Sequence, residues 1–397
     1  MAGAAGIGGM RLDATQRAFR EEVRTFVDEA LDVEYCRTCY QNRKYPHDLY
    51  DRVVEAGLIG TVVPEADGGR GHGHVEQVLL MEALGRYGYD FAVPVLTTAT
   101  VLNTLYDAGS ASLRERFVSR ALDGECRFTV GVTEPESGSN AAGLDTRAER
   151  NGDEYVVTGE KTYQSGAGVE DNFVHLYVRT DTDGDRHEGI SALLVPIAAE
   201  GVTADELPLV VRKAAGSYRL TFDGVRVPVE NRVGDEGAGW SILTKHLVSE
   251  HTYMAAAMVG NAQTVVDRAA ETARDRERFG RPIGEFQAVS HRLADMQTEV
   301  DAARELVYRS AEEMDATGGT RELTAKAKLK ASEVLRETSQ AGMQILGGAS
   351  FDPANDMERY WREGMSATVT GGPSEIQRSI VARGLLRDEA SGRADGR

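Results

Sequence analysis

Apolar positions recur every three or four residues along most of this chain, and that period breaks in one central stretch. Phe19, Val23, Phe26, Val27 and Ala30 keep helical spacing, as do Tyr50, Val53, Val54 and Leu58, with Gly57 and Gly60 closing that segment. Leu79, Leu80, Met81, Ala83 and Leu84 predict another helix. Val101, Leu102 and Leu105 predict one more, and Leu113, Phe117, Val118 and Leu122 the next. The texture changes at Gly124. From Cys126 to Val229 the pattern alternates and turns, with strands expected over 173–179 and 190–197 around the acidic turn 180–186. Asn151-Gly152 signals a hairpin between 146–150 and 155–158, and 219–222 pairs with 225–227 about Asp223-Gly224. This density of strands and turns predicts a small β-barrel or sandwich between helical regions.

From Trp240 the helical period returns and lasts. Leu243, Leu247, Met258, Ala262, Val265, Val266, Ala269 and Ala273 line one long amphipathic helix, interrupted only by Gly260 and ended by Gly280 and Pro282. Helices are expected near 240–275, 286–316 and 320–346, broken at Gly318-Gly319 and Gly347-Gly348. No proline falls between Pro282 and Pro353, which suits long bundle helices. The segments are therefore a flexible tail over 1–10, an N-terminal helical domain over 11–123, a middle β-domain over 124–235 and a C-terminal four-helix domain over 236–397.

Composition narrows the partners. The 397 residues carry a net charge of -18, from 45 basic and 63 acidic side chains, which argues against nucleic acid and anionic membrane. No apolar run reaches the roughly 18 residues that span a bilayer, and residues 1–10 lack the basic start and apolar core of a signal peptide. The expected location is cytoplasmic. Cys36 and Cys39 have redox or zinc-knuckle spacing, but Cys126 is the only further sulfur where zinc wants four ligands, so both are read as structural. The eight His form no His-Glu-x-x-His pattern, and no metal is expected. The glycines of 64–73 lack the strand and spacing of a dinucleotide fingerprint. Gly159-Glu160-Lys161-Thr162 has Glu where a P-loop has its second Gly, and there is no Gly-x-Ser-x-Gly.

Five more specific stretches remain. They are Thr129-Val130-Gly131-Val132-Thr133-Glu134-Pro135-Glu136-Ser137-Gly138-Ser139-Asn140, then Thr158-Gly159-Glu160-Lys161-Thr162-Tyr163, then Arg276-Glu277-Arg278-Phe279-Gly280 with Gln287. Met343-Gln344-Ile345-Leu346-Gly347-Gly348 and Pro373-Ser374-Glu375-Ile376-Gln377-Arg378 follow. In this order, over roughly residues 15 to 388, they resemble the flavin-dependent acyl-CoA dehydrogenase family. The resemblance implies a mainly α chain with an N-terminal helical domain, a middle β-barrel and a C-terminal four-helix bundle, with FAD between the last two. It implies that Val132, Thr133 and Ser139 contact the flavin ring or a substrate thioester. Tyr163 stands where the family has Trp over the flavin, and Ser165 where it has Thr near N5. Arg276, Phe279, Gln287, Gln344 and Gly348 hold the FAD of a neighbouring subunit, and Glu375 belongs to the same cofactor set. A guanidinium suits a pyrophosphate and glycine allows close backbone approach. A homodimer or homotetramer follows, with an electron-transfer flavoprotein as oxidant.

The chain departs from the family at three places. The usual Tyr-Glu-Gly-Thr, which carries the base, reads Thr370-Gly371-Gly372-Pro373, leaving the Gly371 backbone N–H as an oxyanion-hole donor. The loop 212–218 is shorter than usual, and His251 replaces an Arg. Counting forward from Gly237-Ala238-Gly239-Trp240 and back from Met258-Val259-Gly260-Asn261 lands on Glu250, where the isovaleryl-CoA and long-chain branches carry their base. Glu250 is therefore expected to take the α-proton, with a raised pKa from an apolar pocket and His246 one turn earlier to tune it. Phe91, Val95, Leu96 and Thr100 are expected to set pocket depth. Two other readings share the resemblance: a flavin monooxygenase or lyase of this fold that works without the base, and a non-catalytic thioester or carrier-protein binder. Glu250 separates them, since only the dehydrogenase requires it.

Overall fold

Helices α1 (Ala14–Ala30), α2 (Val33–Gln41), α3 (His47–Glu55), α4 (His74–Gly85), α5 (Tyr89–Ala108) and α6 (Ala111–Leu122) come first in the computed structural model, which describes residues 12–183 and 185–386. The tail expected at 1–10 lies outside the described residues. Asp13 starts α1 with a reciprocal capping box, accepting from the Gln16 N–H at 2.8 Å while the Gln16 side chain accepts from its own N–H at 3.0 Å. α4 and α5 are buried almost all round, so each is a core helix with neighbours on several sides. The long helix α7 (Gly239–Asp275) packs against both. The tiny hairpin β9 (Glu277–Arg278) and β10 (Arg281–Pro282) leads on to α8 (Gln287–Thr317), α9 (Arg321–Leu346), α10 (Met357–Ala367) and α11 (Ser374–Leu385). α9 packs on α7, α8, α10 and α11 and so joins the last third of the chain together.

The middle region is not a closed barrel. Strands β1 (Arg127–Gly131), β2 (Arg147–Asn151), β3 (Glu154–Ser165), β4 (Asn172–Arg179), β5 (Ile190–Pro196), β6 (Val202–Glu206), β7 (Ser217–Pro228) and β8 (Arg232–Val233) form one open mixed sheet in the order β6-β7-β3-β2-β4-β5-β8, with β1 pairing β4. β6 and β8 end the sheet without meeting each other. The join between β2 and β4 is a single pair, Arg147 with Arg179, because β1 takes the rest of the β4 edge in parallel register from Arg127–Asn172 to Gly131–Leu176. A second correction concerns β7. It continues past Asp223-Gly224 as one strand, with a bulge there in place of a turn: Gly224 has a φ of 64° and the register against β3 shifts between Val157 and Gly159. The β2–β3 hairpin forms as expected, with Asn151 paired to Glu154 and the turn centred on Gly152-Asp153.

α7 and α4 approach backbone to backbone. A Cβ on Gly260 would lie 2.0 Å from the Glu82 carbonyl oxygen, and one on Gly85 would lie 2.1 Å from the Ala257 carbonyl oxygen. Only glycine fits where two helical backbones come this close. Cys36, Cys39 and Cys126 are buried, and burial raises each thiol, that of Cys126 to about 12. They pack as small apolar groups.

Gly260→Ala is expected to lower stability by about 3 kcal/mol or more, beyond a simple helix-propensity gain, because carbonyl oxygens cannot swing aside as side chains do. Thermal unfolding monitored by circular dichroism checks this, and an unchanged midpoint contradicts the crossing. The Cys36→Ser/Cys39→Ser double variant should still fold, at a cost of about 1–3 kcal/mol per buried hydroxyl; failure to fold only after zinc removal from the wild type would show a metal role instead.

Candidate active site

Glu250 lies about a third of the way along α7, with a fifth of its side chain exposed in an otherwise buried stretch. One turn earlier, the buried His246 brings Nε2 to 3.4 Å from Glu250 Oε2. The other ring nitrogen, Nδ1, is 2.7 Å from Thr104 Oγ1 on α5. The His246 ring meets the His175 ring of β4 edge-on at 5.6 Å, and His175 lies 4.8 Å from the ring of Tyr177. Burial pushes Glu250 toward its neutral form. The bond and charge of His246, with the charges of His251 and Lys328, outweigh this and hold the carboxyl below the usual range. The raised pKa expected from sequence is thereby corrected: the pocket around Glu250 is polar and basic, not apolar.

Across from α7 stands the turn between α10 and α11. Gly371 and Gly372 have φ of 60° and 77°, in the left-handed region. A Cβ on Gly371 would meet the Met254 tip at 2.5 Å, so the place the family gives to its carboxylate is filled here from α7. The N–H of Gly371 takes no part in the hydrogen bonds of this turn, whereas Thr370 N bonds to Ser366 O and Ser374 N to Thr368 O, both at 3.0 Å. Lys328 of α9 locks the turn. Its buried ammonium donates to Gly372 O at 2.7 Å and to Ala367 O at 3.3 Å, and burial lowers its pKa to about 8. His251 packs against both glycines, and burial lowers it to about 4. Arg212, from the short loop, stacks 4.1 Å from the Tyr89 ring and reaches within 3.5 Å of Thr370 Oγ1.

The residues assigned to the flavin ring gather at the ends of β1 and β3. Val132 and Thr133 directly follow β1 and are half-buried, and Ser139 is exposed. Tyr163 is 59% exposed with φ of 64°, and Ser165 closes β3. Lys161 and Glu134 hold this edge. They pair at 2.8 Å in a fully buried setting, Lys161 also donates to Val132 O at 3.1 Å, and Glu134 accepts from the N–H of Asp145 and Thr146. The stretch that looked like a degenerate P-loop thus supplies a structural ion pair. The second group, Arg276, Phe279, Gln287, Gln344 and Gly348, sits at the other end of α7. Arg276 donates to Leu346 O at 2.8 Å, Phe279 is 96% exposed with φ of 54°, and Gln287, Gln344 and Gly348 are exposed, with open space around Gly348. Glu375 is exposed in the first turn of α11. At about 1.5 Å of rise per residue, Arg276 lies about 39 Å along the helix from Glu250.

Phe91, Val95, Leu96 and Thr100 are all fully buried in α5. The residues that sequence reasoning missed are Lys328, Thr104, His175, Tyr177 and Arg212. Lys328 sits in Lys326-Ala327-Lys328-Leu329-Lys330, which reads as a solvated face, and the two β4 residues sit in an ordinary strand pattern. Only His175 carried a signal, a basic residue at an inward position of a buried strand.

Comparison with known proteins agrees with this geometry. The chain matches the N-terminal domain of acyl-CoA dehydrogenase over residues 13–125, the middle domain over 129–225 and the C-terminal domain over 237–386. It is 31% identical to the probable acyl-CoA dehydrogenase YngJ of Bacillus subtilis, over 95% of this chain and 99% of that protein. It is 30% identical to the caffeyl-CoA reductase-Etf complex subunit CarC of Acetobacterium woodii, over 95% of this chain and 100% of that one. Among solved structures, butyryl-CoA dehydrogenase of Megasphaera elsdenii superposes with a TM-score of 0.90 at 27% identity, over 96% of this chain and 100% of that chain. PigA in complex with FAD superposes with 0.89 at 25% identity, over 95% and 99%. With its helical, strand and helical segments matched in order over nearly the whole length, the chain belongs to the acyl-CoA dehydrogenase family.

Proposed function

We propose that this protein oxidises an acyl thioester between Cα and Cβ, with Glu250 as the group that takes the α-proton. The observation that carries the reading is the place of Glu250: a carboxyl on the central helix, 3.4 Å from His246 Nε2, beside a turn whose own carboxylate position is a glycine backed by Met254. An ionised carboxylate can accept a proton without first losing one. The free N–H of Gly371, on a turn fixed by Lys328, is a donor for the thioester carbonyl as negative charge builds on it.

FAD is the cofactor, as in the solved relatives whose complexes contain it. The residues present fit it. Arg276 keeps free donors for a pyrophosphate, Gln287 and Gln344 present exposed carboxamides, and Gly348 leaves room for close approach. At the other end Val132, Thr133, Ser139, Tyr163 and Ser165 line the edge for a ring system, with Glu375 at the α11 start. When bound, FAD supplies a two-electron acceptor for the β-hydride. The Arg276 group lies about 39 Å along α7 from Glu250, which puts it at the far end of the helix from the chemistry and suits it to the cofactor of a neighbouring subunit. Each FAD is then shared between subunits, in a homodimer or a homotetramer built from dimers. Exposed Phe279 and Phe351 mark the same end of the molecule as an assembly surface. An electron-transfer flavoprotein is the oxidant, in keeping with the Etf complex of the CarC relative. No helix among the described residues is long and apolar enough to cross a membrane.

Glu250→Gln is expected to retain FAD and bind acyl thioesters while its flavin no longer bleaches anaerobically, a loss of about 10²-fold or more for removal of a general base. Bleaching at the wild-type rate rejects the assignment, and rapid air reoxidation with an oxygenated product would point to the monooxygenase chemistry instead. Arg276→Ala should lower both flavin content and assembly state, read by absorbance and light scattering; a stable wild-type monomer replete with FAD contradicts sharing.

A further inference from the structure

The hydrogen bonds around His246 fix which ring nitrogen carries its proton. The Thr104 hydroxyl has one hydrogen and donates it to Thr100 O at 2.9 Å. It must therefore accept from His246 Nδ1, 2.7 Å away, which makes Nδ1 the N–H of the ring. The lone pair of the neutral imidazole then lies on Nε2, which has no other partner and faces Glu250 Oε2 at 3.4 Å. A lone pair and a carboxylate oxygen repel at that distance unless one proton is shared between them. When Glu250 takes a proton, the atom best placed to receive it next is His246 Nε2.

The other groups facing this pair cannot take that part. His175 on β4 is held neutral, since burial and the neighbouring His246 push it well below its ordinary value. Burial, reinforced by the charge of Glu250, keeps Tyr177 of β4 and Tyr89 of α5 protonated. His251 on α7 is lowered to about 4 by burial and turned toward Gly371 and Gly372, and Lys328 on α9 spends its donors on two carbonyls. Beside the buried His246 ring a largely apolar cleft lined by Thr104, Asp107, Ala108, Ser241, Ile242 and Lys245 opens to solvent, its rim carrying the exposed Lys245–Asp107 ion pair at 2.8 Å.

We propose that His246 accepts from Glu250 the proton removed from the substrate and releases it to solvent through this cleft, resetting the base from the side away from the substrate. The inference rests on Glu250 being the base. The substrate Cα–H bond breaks and its proton forms an O–H bond on Glu250, while the electron pair stays with the carbon skeleton. That O–H bond breaks as Nε2–H forms, leaving a carboxylate beside an imidazolium. The imidazolium then loses the proton on its Thr104 side to water of the cleft that Thr104 lines, and a half-turn of the ring puts the remaining N–H back against Thr104 and the bare nitrogen against Glu250. None of these proton steps changes an oxidation state. His246 is a positioning and relay residue that acts through Glu250.

The test separates deprotonation from delivery of the proton to water. A 3-thia-acyl-CoA has an acidic α-hydrogen but no β-hydride to lose, so its α-hydrogen exchange with deuterated water, followed by mass spectrometry, reports the relay without oxidation. In the FAD-loaded holoenzyme, His246→Gln should bind this probe within twofold of wild type yet exchange it at least tenfold more slowly, because the proton returns from Glu250 to the same carbon. Its anaerobic bleaching by acyl-CoA should also lose activity at a higher pH than wild type. The sign follows from the base: Glu250 works as a carboxylate, activity is lost as pH falls through its pKa, and removal of His246 raises that pKa. A packing role alone moves neither readout in this way. Thr104→Val leaves His246 in place but removes the acceptor for Nδ1–H, so the ring can carry its proton on Nε2 and block the relay atom; exchange should again fall. Wild-type exchange with an unshifted acid limb in His246→Gln, or wild-type exchange in Thr104→Val, overturns the relay. If Glu250→Gln is silent while both variants match wild type, the relay alone fails; if Glu250→Gln itself exchanges the probe, the base assignment falls and the relay with it.

Discussion

The contact between the backbones of α7 and α4 sets the depth at which everything else works. Gly260 and Gly85 let two helices meet without side chains between them. The middle of α7 is in consequence buried on every side, from Thr252 to Gln263. A helix so placed has no solvent face on which to leave its polar residues, and each must find a partner. Thr252 bonds to Ser310 at 2.9 Å, and Asn261 donates to Glu363. His246 and Glu250, just before this zone, find each other. The same depth that makes a lone carboxylate costly supplies the basic neighbours that keep it charged.

A buried charge network ties the helical segments to the sheet around this helix. Asp90 accepts from the Ala214 N–H at 2.9 Å and faces Arg212 at 3.7 Å, so α5 is fastened to the short loop of the sheet. Glu363 of α10 accepts from the Tyr89 N–H at 2.8 Å, and Arg359 donates to Tyr87 O at 2.7 Å. Burial raises Glu363 to about 7, with Arg359 and Arg212 holding it back. Such networks contribute little net stability against apolar packing of the same volume, but removing one member leaves an uncompensated buried charge at about 3–5 kcal/mol. The geometry of the site therefore depends on all three segments being in register at once, through Arg212 above all, since it touches α5 and the Gly371 turn together.

What could be read from sequence follows from the range of the forces involved. Helical and alternating periods are local, and 240–275, 286–316 and 320–346 matched α7, α8 and α9 to within about a turn. The open sheet was not legible, because closure depends on whether β6 and β8 meet, and nothing in either strand says so. Asp223-Gly224 looks like a turn and does bend locally, Gly224 taking a left-handed φ of 64°, but pairing with β3 on both sides absorbs the two residues opposite Thr158 as a bulge within one strand. The position of Glu250 on α7 could be counted between fixed motifs. The direction of its pKa could not, because Lys328 arrives from α9 and the burial of the pocket depends on the packing of distant segments. Lys328 left no trace at all, since three lysines at alternate positions of a helix look solvated until the middle one is seen buried.

The two sides of the site are joined by that lysine. Gly371 and Gly372 hold left-handed backbone that any side chain would strain, and a carboxylate placed there would also have to displace the Met254 tip. A turn freed of its base can specialise as a rigid donor, and the ammonium of Lys328 on Gly372 O supplies the rigidity. The same ammonium lies within electrostatic reach of Glu250, where it favours the carboxylate. In the proposed mechanism one buried cation thus serves the carbonyl side and the proton side at once. If Glu250 is the base, as proposed, a carboxylate on the helix also stands next to an imidazole with a cleft beside it, a setting the turn, packed against α9 and α7, does not have.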